Sequence, residues 1–136
     1  MQNRDAVFLE DFCPKLRDRR WRKSLHGFTG KSCIYCGKHS ESIDHILPRS
    51  RGGLSITENC VPACLACNGD KSDKEAFAWY RNQRFYDPRR AMAIKAWVDG
   101  DLRLALRLLQ WAEPKTSPKK ETISQSSNED LLFQAA

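Results

Sequence analysis

Residues 33–71 read CIYCGKHSESIDHILPRSRGGLSITENCVPACLACNGDK, and the four cysteines at the two ends of this stretch decide the fold. Cys33 and Cys36 form one C-x2-C pair, and Cys64 and Cys67 form another. Two residues between thiols is the spacing at which one tight turn presents both sulfurs to a single tetrahedral ion, so two such pairs supply the four ligands of a closed structural zinc site. A redox role is the alternative reading of one pair, but it needs only one pair, and no βαβ pattern surrounds either. Cys60 and His39 compete on paper for a ligand place. Cys60 reads as a core residue of its strand, and His39 as a solvent-turn residue. A four-thiolate site has no open position, so any chemistry must lie elsewhere.

Outward from the knuckles, Ser42 to Leu47 reads as a strand stopped by Pro48. Gly52-Gly53 marks a loop, and Asn59 to Pro62 reads as the returning strand. The second knuckle opens a short helix. Ser72-Asp73-Lys74-Glu75 matches a capping box and predicts a helix to about Arg84. Asp87-Pro88 supplies an N-cap and first-turn proline, with Gly100 ending that helix. Asp101 caps a last helix whose apolar rows are Leu102, Leu106, Leu109 and Leu104, Leu108, Trp111. Upstream, Lys15 to about His26 predicts a basic helix broken by Gly27 and Gly30. The organisation expected is a basic extension over 1–30, a core over 31–71, packing helices over 72–112 and a disordered tail over 113–136, with Leu131-Leu132-Phe133 as a small apolar tag at its end.

Between the knuckles lies Asp44-His45-Ile46-Leu47-Pro48, then Asn59, then Asn68 and Lys71. Histidine titrates near neutrality and can take a proton from water, and Asp44 offers a hard oxygen ligand. Successive strand residues face opposite sides, so both can serve one site only where the strand bends or ends. The order of first knuckle, Asp-His with proline three places on, Gly-Gly loop, Asn, then Cys-x2-Cys-Asn and Lys resembles the HNH endonuclease family in its cysteine-bearing branch, with Asn68 where the last letter of the family name has histidine. The resemblance implies an α+β fold with a treble-clef, ββα-metal core stapled by zinc and flanked by helices. It implies a DNA endonuclease with His45 as general base, Asp44 and Asn68 holding one Mg²⁺ or Mn²⁺, Asn59 bracing the loop, and products with 5′-phosphate and 3′-hydroxyl ends. Other roles stay open: Asp44 can orient His45, Asn59 can serve a turn, and Asn68 can cap a helix. The flanks look similar to small standalone HNH proteins of cyanobacteria and phages.

Charge supports a nucleic-acid partner. The 136 residues carry a net charge of +6 and a pI of about 9.1, with the surplus lying before the tail. Lys15, Arg17, Arg19, Arg20, Arg22 and Lys23 fall within nine positions and are opposed only by Asp18. We expect Arg19, Arg20 and Arg22 to meet phosphates, with Arg49, Arg51 and Lys71 as contacts beside the site. Further basic residues, among them Arg89 and Arg90, stand among aromatics Trp79, Tyr80, Phe85, Tyr86 and Trp97, which at helical spacing read as core. No base-reading module is evident, so specificity would come from loops, a targeting protein or a homodimer. No apolar run suggests a membrane span, and Met1–Glu10 does not read as a signal peptide. Paired cysteines then point to a cytoplasmic, metal-binding protein. The competing function is a non-catalytic zinc module that binds nucleic acid on the same scaffold.

Overall fold

The computed structural model describes residues 13–113. The expected tail beyond Glu113, its Leu131-Leu132-Phe133 end and the segment Met1–Glu10 lie outside the described residues. Helix α1 spans Pro14–Phe28, with Pro14 in the first turn, where its missing N–H leaves no bond unmade. It passes through Gly27, which corrects the expected break there. Leu25 on its inner face is fully buried, and Trp21 Nε1 donates to Thr57 Oγ1 at 3.0 Å, tying α1 to the segment before β2.

Strands β1 (Ser42–His45) and β2 (Cys60–Ala63) pair antiparallel, from Ser42 opposite Ala63 to His45 opposite Cys60. Both are shorter than, or shifted from, the sequence expectation. Ile46 still donates to the Asn59 carbonyl, but the N–H and carbonyl of Leu47 are both claimed by the Asn59 side chain, so the ladder cannot continue. Gly53 is pressed against this arrangement: a Cβ there would lie 1.7 Å from the Leu47 oxygen, so only glycine fits.

Helix α2 (Leu65–Lys71) starts at the second knuckle, with the Cys64 sulfur accepting from Cys67 N–H at 3.3 Å. Ser72 closes it with a φ of 52°. A left-handed residue cannot also start the next helix, so the capping box expected at Ser72 does not form. Glu75 caps α3 (Ala76–Arg81) instead, accepting from Phe77 and Ala78 N–H. Helix α4 (Pro88–Val98) is capped by Asp87 and α5 (Leu102–Ala112) by Asp101, with Gly100 between them at a φ of 86°.

One core joins elements from both sides of the quoted stretch. Leu25, Ile34, Tyr35, Val61, Tyr80, Ile94 and Trp97 are essentially inaccessible. Trp97 donates to the Thr57 carbonyl at 2.7 Å, fastening α4 to the loop between the strands. Trp79 and Tyr80 are buried as expected of core aromatics, while Phe85 is partly exposed. On α5 the inner row is Ala105, Leu109 and Ala112. Leu104 and Trp111 of the expected second row face outward, where Arg89 lies 5.4 Å over the indole. No helix among the described residues is long and apolar enough to cross a membrane. The result is an α+β fold with a ββα core, formed by β1, β2 and α2, and helices on both flanks.

Candidate active site and metal centre

The sulfurs of Cys33, Cys36, Cys64 and Cys67 all lie within 4.8 Å of one another, and Cys36 and Cys64 are 3.7 Å apart. Tetrahedral zinc with Zn–S bonds of about 2.3 Å requires sulfur separations of about 3.8 Å, so the quartet fits such an ion. Gly37, with a φ of 83°, turns the first knuckle, and its N–H bonds back to the Cys33 carbonyl. Cys33 is drawn down to about 5, first by the hydrogen bond from the Cys67 thiol, against the opposing effect of burial. Cys67 is driven up by the same hydrogen bond and by burial. Cys60 is buried and its thiol bonds the Leu54 carbonyl, outside the quartet, and burial pushes it up to about 11.

His45 sits at the last position of β1, where the strand ends. Its side chain is half-buried, and Nε2 lies 3.0 Å from Ser55 Oγ. Burial, then the Arg49 charge, lowers its pKa below the ordinary histidine value, with Arg22 and Lys71 adding to the effect against Asp44. The ring is therefore unprotonated and able to accept a proton at neutral pH. The loop that carries Ser55 is fixed by Asn59, whose Oδ1 accepts from Leu47 N–H at 2.8 Å and whose Nδ2 donates to the carbonyls of Leu47 and Leu54 at 3.0 and 2.9 Å.

Asp44 points the other way, into the protein, and is 3% exposed. Its Oδ2 accepts from Tyr35 Oη at 2.5 Å and its Oδ1 from Lys71 Nζ at 3.2 Å. Burial raises its pKa, opposed by Tyr35 and Lys71. Lys71 is fully buried and also donates to the His45 carbonyl at 3.0 Å. This corrects the expectation of a phosphate contact: the ammonium never reaches the surface, because the buried carboxylate needs it.

Asn68, three positions earlier on α2, donates from Nδ2 to Ser42 Oγ and the Ile43 carbonyl. That leaves the amide oxygen as its spare acceptor. Carboxylate and amide oxygens are the hard donors that Mg²⁺ or Mn²⁺ takes. Yet both Asp44 oxygens are already engaged, one by a cation. The donor types fit a divalent ion, and the arrangement does so only if Lys71 gives up the carboxylate.

Arg49 and Arg51 are exposed on a short 3₁₀ turn beside this site. Arg19, Arg20 and Arg22 are exposed on α1, Arg22 paired with Asp18 at 3.0 Å. Two basic residues of the C-terminal flank are otherwise employed. Arg89 is held by Asp87, and buried Arg90 donates to the Cys33 and Ile34 carbonyls beneath the first knuckle. Sequence reasoning missed Tyr35, Ser55 and Arg90 as supports. Tyr35 alone carried a signal, an aromatic inside a zinc knuckle.

A zinc-knuckle ββα core with an Asp-His pair at a strand end defines the HNH class of fold. Residues 33–74, about a third of the chain, match the HNH endonuclease family. A curated relative in Bacillus subtilis (strain 168), the "SPbeta prophage-derived putative HNH endonuclease YoqL", is 28% identical over 103 residues. That similarity covers 62% of this chain and 42% of the relative, so the chain spans about two-fifths of the relative's length. No solved structure matches the chain significantly.

Proposed function

We propose that the chain is a metal-dependent DNA endonuclease in which His45 takes the proton from the attacking water. The observation that carries this reading is the convergence at one strand end of a half-buried imidazole, fixed by Ser55, with exposed Arg49 and Arg51 on the adjoining turn. Phosphodiester hydrolysis needs a base for water and positive charge for the phosphate, and this loop brings both together. A divalent ion, when bound by Asp44 and Asn68, supplies charge for the phosphate and for the departing 3′-oxygen, giving 5′-phosphate and 3′-hydroxyl ends. Lys71 holds Asp44 in position until then, and Asn59 keeps the loop registered on β1. Zinc on the cysteine quartet is structural. DNA is the partner, and Arg19, Arg20, Arg22, Arg49 and Arg51 meet its phosphates.

The closed Asp44–Lys71 pair favours one competing reading, a zinc-dependent module that binds nucleic acid without cutting it. Nicking of supercoiled plasmid with Mg²⁺ or Mn²⁺ separates the two. The wild type should nick, and His45→Ala should lose on the order of 10²–10⁴ in rate while keeping fold and DNA affinity. Equal nicking by both proteins would remove His45 as the base, and no nicking by the wild type would leave the binding module.

A further inference from the structure

Away from His45, between the end of α1 and the first knuckle, lies an open cleft of about 410 Å³ lined by Lys23, His26, Gly27, Lys31, His39 and Ser40. With Glu41, seven residues line it, and four of them are basic. The one carboxylate at its edge, Glu41, is occupied, since its Oε1 accepts from Leu65 N–H at 3.0 Å. Ser40 is buried and lies 2.6 Å from His26 Nδ1. With the Ser40 hydroxyl donating to Nδ1, the ring proton sits on Nε2 and is free to meet an anion. Lys23, Lys31 and His39 are exposed, and no ion pair among the described residues engages the two lysines.

Gly27 adds an independent observation. It is the penultimate residue of α1, where an alanine would favour the helix more than glycine does. Nothing lies within 4 Å of where its Cβ would be, and its φ is not left-handed. Neither packing nor backbone conformation in this chain therefore calls for a glycine. A bare backbone on the wall of a basic cleft does allow a bulky ligand to come close.

The Arg22 charge acts on His45 across the fold and on His26 one turn along α1. Helix α1 carries Arg22 one turn before His26, so a duplex lying along α1 past Arg22 meets the cleft at Lys23 and His26. We propose that this cleft is a second phosphate-binding site, which holds the backbone of the DNA duplex at a distance from the bond being cut. The site rests on the nuclease reading only for its choice of DNA as the anion.

The test uses the full zinc-loaded chain carrying His45→Ala, a 20-base-pair duplex and a chelator of Mg²⁺, so that binding is read without cutting. Affinity is measured between about 50 and 200 mM salt, the range over which phosphate contacts show clearly. Gly27→Glu places a carboxylate on the cleft wall, its Cβ in open space, and Lys23→Gln with Lys31→Gln removes two charges from the walls. If two phosphates are lost, the salt slope should fall by about 1.8, so that the drop in affinity over this range becomes roughly tenfold smaller. Gly27→Ala covers the bare wall without adding charge, so it should weaken binding at every salt concentration while keeping the wild-type slope. Unchanged slopes in both charge variants overturn the proposal, as does displacement of the duplex by inorganic phosphate at matched ionic strength, which marks a free-anion site. Plasmid nicking by the chain with His45 intact is scored separately. Nicking with unchanged slopes removes the cleft and keeps the nuclease, whereas reduced slopes without nicking keep the cleft and remove the nuclease.

Discussion

Replacing Lys71 by Met tests the centre of the site most directly. Methionine keeps an unbranched stem of similar volume in a position with no solvent access, so the cavity cost is small. What disappears is the ammonium 3.2 Å from Asp44 Oδ1, leaving a carboxylate that is 3% exposed with Tyr35 as its remaining donor. Removing one partner of a buried ion pair costs about 3–5 kcal/mol. For a domain of this size each kcal/mol moves the midpoint by roughly 4 °C or more, so Lys71→Met should melt at least about 12 °C below the wild type. Thermal and urea denaturation of zinc-loaded protein, with Asp44→Asn and the double variant, complete the cycle. Asp44→Asn in the Lys71→Met background removes the unpaired charge, so the double variant should recover much of the loss, with a coupling of about 2 kcal/mol or more. Mg²⁺ should raise the midpoint of Lys71→Met more than that of the wild type, because the ion no longer competes with an ammonium. A Lys71→Met protein within about 1 kcal/mol of wild type, or strictly additive single effects, would refute the reasoning.

Cys36→Ser should lose the metal and unfold the domain, since binding energy at such a site is folding energy; zinc content and circular dichroism measured together check this, and a folded zinc-free variant would contradict it. Asn59→Ala removes three hydrogen bonds to Leu47 and Leu54, so the loop bearing Ser55 should become cleavable by protease and the nicking rate should fall, with His45 still present. Asp87→Ala should cost about 1 kcal/mol through loss of the α4 N-cap, read as a shift in the urea midpoint. Arg89, the largest influence on Asp87, lowers its pKa below the ordinary carboxylate value. Its contribution is therefore complete above the unfolded value and disappears as pH falls through the folded one, so variant and wild type should converge in acid.

The parts of the fold that the sequence made legible are those whose partners are close along the chain. The C-x2-C pairs, the Asp87-Pro88 and Asp101 caps and the Gly100 stop each depend on residues a few positions apart, and all appear in the structure. The errors arose where a distant partner decides. Lys71 reads as a surface cation after a helix-opening knuckle, but Asp44, 27 positions earlier, draws it inside. Arg90 reads as part of a basic flank, yet the carbonyls beneath the first knuckle claim it. The Ser72 capping box failed for a local reason that composition does not reveal: the residue already closes α2 with a left-handed backbone. For the site itself, sequence named His45 and Asp44 but not their supports, because Ser55 and Tyr35 gain their roles only through the return of the chain.

Arg90 also sets a timetable. It lies 57 positions after Cys33, whose carbonyl it holds, and Tyr80, which donates to the Tyr35 carbonyl, lies 45 positions after its own acceptor. A growing chain that has reached Lys71 already contains all four thiols, the Asp-His pair and both motif asparagines. The underside of its first knuckle is still bare, and Tyr35 is not yet clamped behind Asp44. Synthesis thus delivers the chemical groups early and their rigidity late. A ribosome stalled before α4 emerges would hold a polypeptide with the complete HNH signature and an unfinished site.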